Sequence, residues 1–283
     1  MSNNNATDIE EIRQSYLDLM KKVLTYYYWG EEYGPLFIQK YSLIKRTLYS
    51  SLIKYFSKQK IYLVRQKQFN KSVREEGKDH PTLAYTMIGL KRLSNIQFCV
   101  EDILTNDIPG DFIETGIWRG GAVIFMRAAL KAYGIKDRRV WGADSFQGLP
   151  EPDPKNYPAD AGDIHYLWKH LEVTVEQVKA NFEQFGLLDD QVCFLEGWFK
   201  DTLPTAPIEK LALLRLDGDM YESTMDALVH LYPKLSVGGY IIIDDYGYIG
   251  SCRKAVQDYR SANNILDEIK TIDWSGVYWK KSS

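Results

Sequence analysis

The chain has 283 residues, 45% of them apolar, and a formal net charge of −3. This is the composition of a globular protein with a sizeable core, and so balanced a charge gives no field that would recruit nucleic acid. Three cysteines without C-x-x-C spacing exclude a zinc ribbon or a disulfide framework, and no apolar run reaches the roughly 18–20 residues that span a bilayer.

The start, Met1-Ser-Asn-Asn-Asn5, lacks the basic and apolar regions of a signal peptide, so a cytoplasmic location without stable membrane insertion is expected. Residues 1–80 read as a helical N-terminal extension serving as a lid or for oligomerisation. Ile9, Ile12, Tyr16, Leu19, Met20 and Val23 recur at helical spacing. Leu43, Ile44, Leu48, Leu52, Ile53 and Phe56 do the same, and Gly34-Pro35 punctuates the two sets. From Lys40 to Arg74 the chain is basic and carries no acid. Such helices suit packing on the main domain or on a second subunit, and their lysines admit a membrane surface as the alternative.

Residues 81–283 read as one α/β domain. His80-Pro81-Thr82 predicts the start of a helix to about Leu104, with Met87, Leu90, Leu93, Ile96 and Val100 on its apolar side. Strand 111–114, helix 121–133 and strand 140–143 follow, then a loop from Asp144 with Pro150, Pro152, Pro154 and Pro158 that cannot be regular. Next come helix 175–185, strand 192–195, strand 211–216, helix 223–232, strand 240–243, helix 251–259 and one or two strands within 269–279. This alternation predicts a doubly wound, mainly parallel sheet with helices on both faces.

Acids stand where these strands end. Asp217-Gly-Asp219 follows Leu211-Ala-Leu-Leu-Arg-Leu216, and Asp244-Asp245 follows Tyr240-Ile-Ile-Ile243. Ligands bind outside the carboxyl ends of strands in open α/β sheets, and converging carboxylates repel unless a cation or shared proton holds them. Asp217, Asp244 and Asp245 therefore suit a magnesium-type ion, and Asp219 is free to take a substrate proton, unless it caps the helix after it. Asp226 lies inside that helix and reads as surface.

Glu114-Thr-Gly116-Ile-Trp-Arg-Gly120-Gly121 sits at the first strand-to-helix turn. Trp118 occupies the second glycine position of a dinucleotide fingerprint, and Glu114 would repel a pyrophosphate. A cationic cofactor without phosphates, such as S-adenosylmethionine, suits a carboxylate beside a glycine turn, with Gly120 and Gly121 opening the helix N-terminus to it. Asp144, at the next strand end, is placed to hold ribose hydroxyls or to cap the Ser145-Phe146 turn. Trp198, in Glu196-Gly-Trp198, is placed to wall an adenine or to sit in the core. His165 and His170 fall near the proline-rich lid and suit substrate contact or local satisfaction.

Six segments resemble the macrocin O-methyltransferase family: Thr86-Met-Ile-Gly89 with Arg92-Leu-Ser-Asn95, Glu114 to Gly121, Asp144-Ser-Phe-Gln-Gly-Leu-Pro150, Glu196 to Phe199, Leu216 to Ser223, and Gly238 to Gly247. The resemblance spans roughly residues 65–279 and leaves 1–64 unplaced. It implies a class I S-adenosylmethionine-dependent methyltransferase fold, a magnesium ion, and methylation of a sugar hydroxyl on a glycosylated natural product such as a macrolide. It implies Asp217, Asp244 and Asp245 as metal ligands and Asp219 as base, with Asp217 the other candidate for that role. Glu114, Thr115, Gly116, Gly120, Asp144, Ser145, Glu196, Gly197 and Trp198 would line the cofactor, as would Thr86 and Met87. A homodimer or higher oligomer is also implied. A metal-dependent methyltransferase of a catechol or other small diol, and a non-catalytic methyltransferase-like subunit, are the alternative readings.

Overall fold

The computed structural model describes residues 2–28, 31–35, 38, 41–61, 63–79 and 81–283. Helix α1 (Ser2–Leu24) is followed by strand β1 (Glu31–Pro35), helix α2 (Leu43–Ser57), strand β2 (Val64–Gln68) and the short helix α3 (Lys71–Glu75). The domain proper runs α4 (Leu90–Thr105), β3 (Asp111–Thr115), α5 (Gly121–Ala132), β4 (Val140–Asp144), α6 (Val175–Gln184), β5 (Val192–Glu196), α7 (Phe199–Thr202) and β6 (Leu211–Leu216). It ends with α8 (Tyr221–Leu231), β7 (Leu235–Ile243), α9 (Gly250–Ala262), β8 (Lys270–Thr271) and β9 (Val277–Lys280).

Seven strands form one sheet in the order β5-β4-β3-β6-β7-β9-β8, parallel from β5 to β7, with β9 antiparallel to both β7 and β8. This is the expected doubly wound α/β architecture. The side-chain period of two divides its core into two layers. Phe112, Leu213 and Tyr240 face α1, α4, α5 and α6, whereas Ile113, Leu214 and Ile241 face α8 and α9. Each fully buried Leu, Ile or Phe contributes roughly 1.5–3 kcal/mol.

The N-terminal region departs from two simple amphipathic helices. α1 joins the core through Leu17, Met20 and Leu24, while Ile9, Ile12 and Leu19 stay exposed. Gly34-Pro35 ends a strand instead of a loop: β1 and β2 pair antiparallel, and α2 is carried between them. Proline is tolerated there because it closes the strand. No residue of α2 is buried, and Leu43 and Ile44 are 79% and 84% exposed. His80 and Lys40 lie outside the described residues.

The helix expected from 81 begins at Leu90, and 81–89 form an irregular strap. The Tyr85 N–H donates to the Leu24 carbonyl and its carbonyl accepts from the Gly121 N–H, so the strap ties the end of α1 to the start of α5. Among the described residues no helix is long and apolar enough to cross a membrane.

Candidate active site

Strand register sets the site. Glu114, Arg215 and Ile242 are level across β3, β6 and β7. Two residues further along, Gly116, Asp217 and Asp244 share that face where the strands end. The ladder continues one step beyond the strands, with the Asp217 N–H on the Thr115 carbonyl and the Asp244 N–H on the Leu216 carbonyl. Gly116 has φ +80° because β3 and β6 close on each other here: a Cβ would lie 1.8 Å from the Asp217 carbonyl oxygen.

One oxygen each of Asp217, Asp244 and Asp245 lie within 4.8 Å of one another. One hard cation with oxygen bonds of roughly 2.0–2.6 Å can touch all three. Asp245 Oδ2 is buried and has no hydrogen-bond partner among the described residues, which suits a cation ligand. The donor set thus fits magnesium. Burial, with the neighbouring carboxylates, raises Asp217 to about 6 and holds Asp219 and Asp245 well above the ordinary carboxylate range.

Two arginines that sequence reasoning passed over brace this cluster. Arg215, fully buried, donates from Nη1 to Glu114 and, at 2.9 Å, to Asp217, and from Nη2 to Asp244. Arg92, on α4, takes the other oxygen of Asp244 and holds Asp273 at 2.9 Å. Burial raises Glu114 to about 8 against the pull of Arg215, and its Oε2 has no partner among the described residues. A charged residue inside an apolar strand run was the available signal for Arg215, since a buried charge demands a partner.

A cavity of about 380 Å³ opens beside the cluster. It brings together Met87, Gly116, Asp144, Ser145, Trp198, Asp217 and Asp219 from the expected set. Asp144 accepts from the Ile117, Trp118 and Phe146 N–H groups at 2.8, 3.3 and 2.8 Å. Burial is the main influence on Asp144 and raises it. The Asp219 carboxyl has no hydrogen-bond or ion-pair partner among the described residues, and it does not cap α8. Trp118 and Asp219 both have positive φ, 47° and 60°, the kind of local strain that collects at functional sites.

The other expected cofactor residues do not line this cavity. Glu114 and Thr115 lie in the sheet, and Glu196 is exposed. A Cβ on Gly120 would meet Val178 at 2.9 Å, one on Gly121 the Tyr85 carbonyl oxygen at 2.5 Å, and one on Gly197 the Thr202 methyl at 2.9 Å. The α5 N-terminus is therefore covered by α6 and the strap. Thr86 is buried in that strap. His165 pairs with Asp163 at 2.8 Å, and its ring and that of His170 both pack on Trp168. Neither histidine lines the cavity, whereas Asp226, read as surface, does so with Glu222 one turn before it.

The profile of the family described as macrocin-O-methyltransferase (TylF) matches residues 13–281. The chain is 54% identical over 219 residues to demethyldecarbamoylnovobiocin O-methyltransferase of Streptomyces niveus, covering 77% of this chain and 84% of that one. It is 52% identical over 244 residues to mycinamicin III 3''-O-methyltransferase of Micromonospora griseorubida, covering 85% and 95%. The solved structure of the O-methyltransferase NovP matches with a TM-score of 0.82 at 46% identity, over 96% of this chain and all (100%) of that one. The calicheamicin methyltransferase CalS11 shares the fold at a TM-score of 0.55 and 20% identity, over 68% and 79%.

Proposed function

Because the chain belongs to the macrocin O-methyltransferase family, we propose that it moves the methyl group of S-adenosylmethionine to a sugar hydroxyl of a glycosylated natural product, with magnesium at Asp217, Asp244 and Asp245. The observation that carries this reading is that Asp219, unpartnered among the described residues, lines one cavity together with Asp217 of that cluster, Asp144 and Trp198. Magnesium, when bound, would supply Lewis-acid polarisation of a chelated hydroxyl, and S-adenosylmethionine the methyl group.

The chain's own residues do the rest. Asp144 faces the cavity to hold a ribose hydroxyl, and Trp198 walls the adenine. Glu114 would serve the cofactor through the Gly116 turn, since it stands behind the cavity wall. Asp219 takes the hydroxyl proton as the oxygen attacks the methyl carbon and the carbon–sulfur bond breaks. Positioning and electrostatics supply most of the rate.

Residues 1–80 belong to the same reading as an extension of the methyltransferase domain at 81–283 in a cytoplasmic homo-oligomer. The exposed Leu43, Ile44 and Leu48 of α2 support an intersubunit contact, and a monomer in sedimentation would refute it.

The test of the substrate class is incubation with methyl-labelled S-adenosylmethionine, magnesium, demethyldecarbamoylnovobiocin and mycinamicin III, with the product located by NMR. Label on a sugar oxygen is expected. Label only on a phenol, or transfer only to a catechol, would replace the sugar reading.

A further inference from the structure

The segment from Gly148 to Glu172 covers the cavity and is fastened at two points. On the cofactor side, the Trp118 indole N–H donates to the His170 carbonyl at 2.9 Å. On the other side, Asp160 is only 2% exposed, although it lies in a short turn of a proline-rich segment. Its carboxylate accepts from the Tyr221 N–H at 2.6 Å and the Glu222 N–H at 3.0 Å. These are the first donors of α8, whose own N-cap residue, Met220, supplies no side-chain bond. An acid from the covering segment thus does across space what a capping side chain does locally, with the helix dipole in its favour. Tyr157 packs on Tyr221 beside it, at 6.2 Å between ring centroids.

The helix start fastened in this way is two residues from Asp219. The Asp219 backbone is left-handed, and its side chain has no bond of its own to hold it. Asp219 is therefore placed by the turn at Gly218–Met220, which the Met220 N–H closes on the Gly218 carbonyl at 2.6 Å, and by the helix that follows. Freeing the first turn of α8 frees the Asp219 carboxylate, which no side chain braces among the described residues.

We propose that Asp160 is a positioning residue, a latch that joins the cover at 148–172 to the α8 N-terminus and thereby fixes Asp219 over the cavity. The latch rests on the reading of Asp219 as base only for its effect on turnover. Its structural half stands apart from that reading. Asp160 touches neither the metal cluster nor the Asp144–Trp198 side, so its loss spares cofactor binding.

The experiment compares full-length Asp160→Ala, Asp160→Asn and Asp219→Asn with the unaltered protein. Trypsin cleavage at Lys155 and Lys169 reports the cover, amide exchange of residues 219–226 reports the helix start, and S-adenosylhomocysteine affinity is the folding control. Asp160→Ala is expected to raise cleavage and exchange about tenfold, the scale of a lost helix cap, with unchanged S-adenosylhomocysteine affinity. Asp160→Asn should fall between, because its amide oxygen keeps one acceptor. On a glycoside that the unaltered enzyme methylates, Asp160→Ala should lower kcat about tenfold and leave KM for S-adenosylmethionine unchanged.

Unaltered cleavage and exchange in Asp160→Ala would overturn the latch. An opened cover with unaltered kcat would overturn the positioning role. Asp219→Asn keeps cleavage and exchange unaltered whether or not it keeps turnover, so failure of the base reading is seen separately.

Discussion

Arg215 and Glu114 stand opposite each other on neighbouring parallel strands, with the arginine fully buried and its Nη1 shared between Glu114 and Asp217. One guanidinium thus touches the carboxylate behind the glycine turn and two of the three carboxylates that fit a cation. It supplies part of the positive charge that six clustered acids need. Those acids are Glu114, Asp217, Asp219, Asp244, Asp245 and Asp273, and Arg92 supplies the second buried cation.

Removing Arg215 leaves Glu114 and Asp217 without a cation partner and Asp244 with Arg92 alone. Arg215→Leu is expected to lose about 3–5 kcal/mol of stability, the cost of breaking a buried pair from one side. Urea unfolding measures it. Adding Glu114→Gln should recover part of the loss, because contacting residues do not behave additively.

The raised pKa of Glu114 makes the metal-free protein sensitive to alkali. Between its ordinary value of 4.5 and about 8, the folded state keeps a proton that the unfolded state has released. Stability is therefore highest below that window and falls as pH rises through it. Asp217, Asp219 and Asp245 act in the same direction. In EDTA the thermal midpoint should be lower at about pH 8.5 than at about pH 5.5, and Glu114→Gln should flatten that slope. A midpoint independent of pH would show that Glu114 is already charged in the folded protein.

Gly116→Ala sets a methyl group against the Asp217 carbonyl and forces a left-handed backbone on alanine. The strain alone costs roughly 1–3 kcal/mol, and the strand ends must part as well. Calorimetry should show a lower midpoint together with weakened S-adenosylhomocysteine binding. Binding at full strength would remove Gly116 from the cofactor wall.

The architecture and the strand-end acids were legible because both follow from periodicity: apolar runs predict parallel strands, and strand ends predict where acids meet. β6 falls on its expected bounds, Leu211–Leu216. The braces were less legible, since Arg92 meets Asp244 and Asp273 from an element far away in sequence. Gly120 and Gly121 suggested ligand access, but the same missing side chains make room for Val178 and the strap, and spacing cannot tell these apart. Asp160 carries no signal in the sequence, because its partners are backbone N–H groups 61 and 62 residues away. α2 reads correctly as an amphipathic helix, yet Leu43, Ile44 and Leu48 are exposed and Leu52, Ile53 and Phe56 only half-buried, because periodicity predicts a face to cover and not what covers it.

Asp219→Asn separates binding from turnover. The amide keeps the shape and removes the base, so transfer should fall by about 10²–10⁴-fold with cofactor and metal affinity retained. Activity near that of the unaltered enzyme would pass the proton to Asp217.

The most direct test of the cation-dependent transfer is the rate of label movement from S-adenosylmethionine to demethyldecarbamoylnovobiocin or mycinamicin III in EDTA, followed by addition of magnesium. With Asp217, Asp244 and Asp245 as ligands, EDTA should abolish transfer and magnesium should restore it. Equal rates with and without EDTA would contradict the assignment of these aspartates to a catalytic cation.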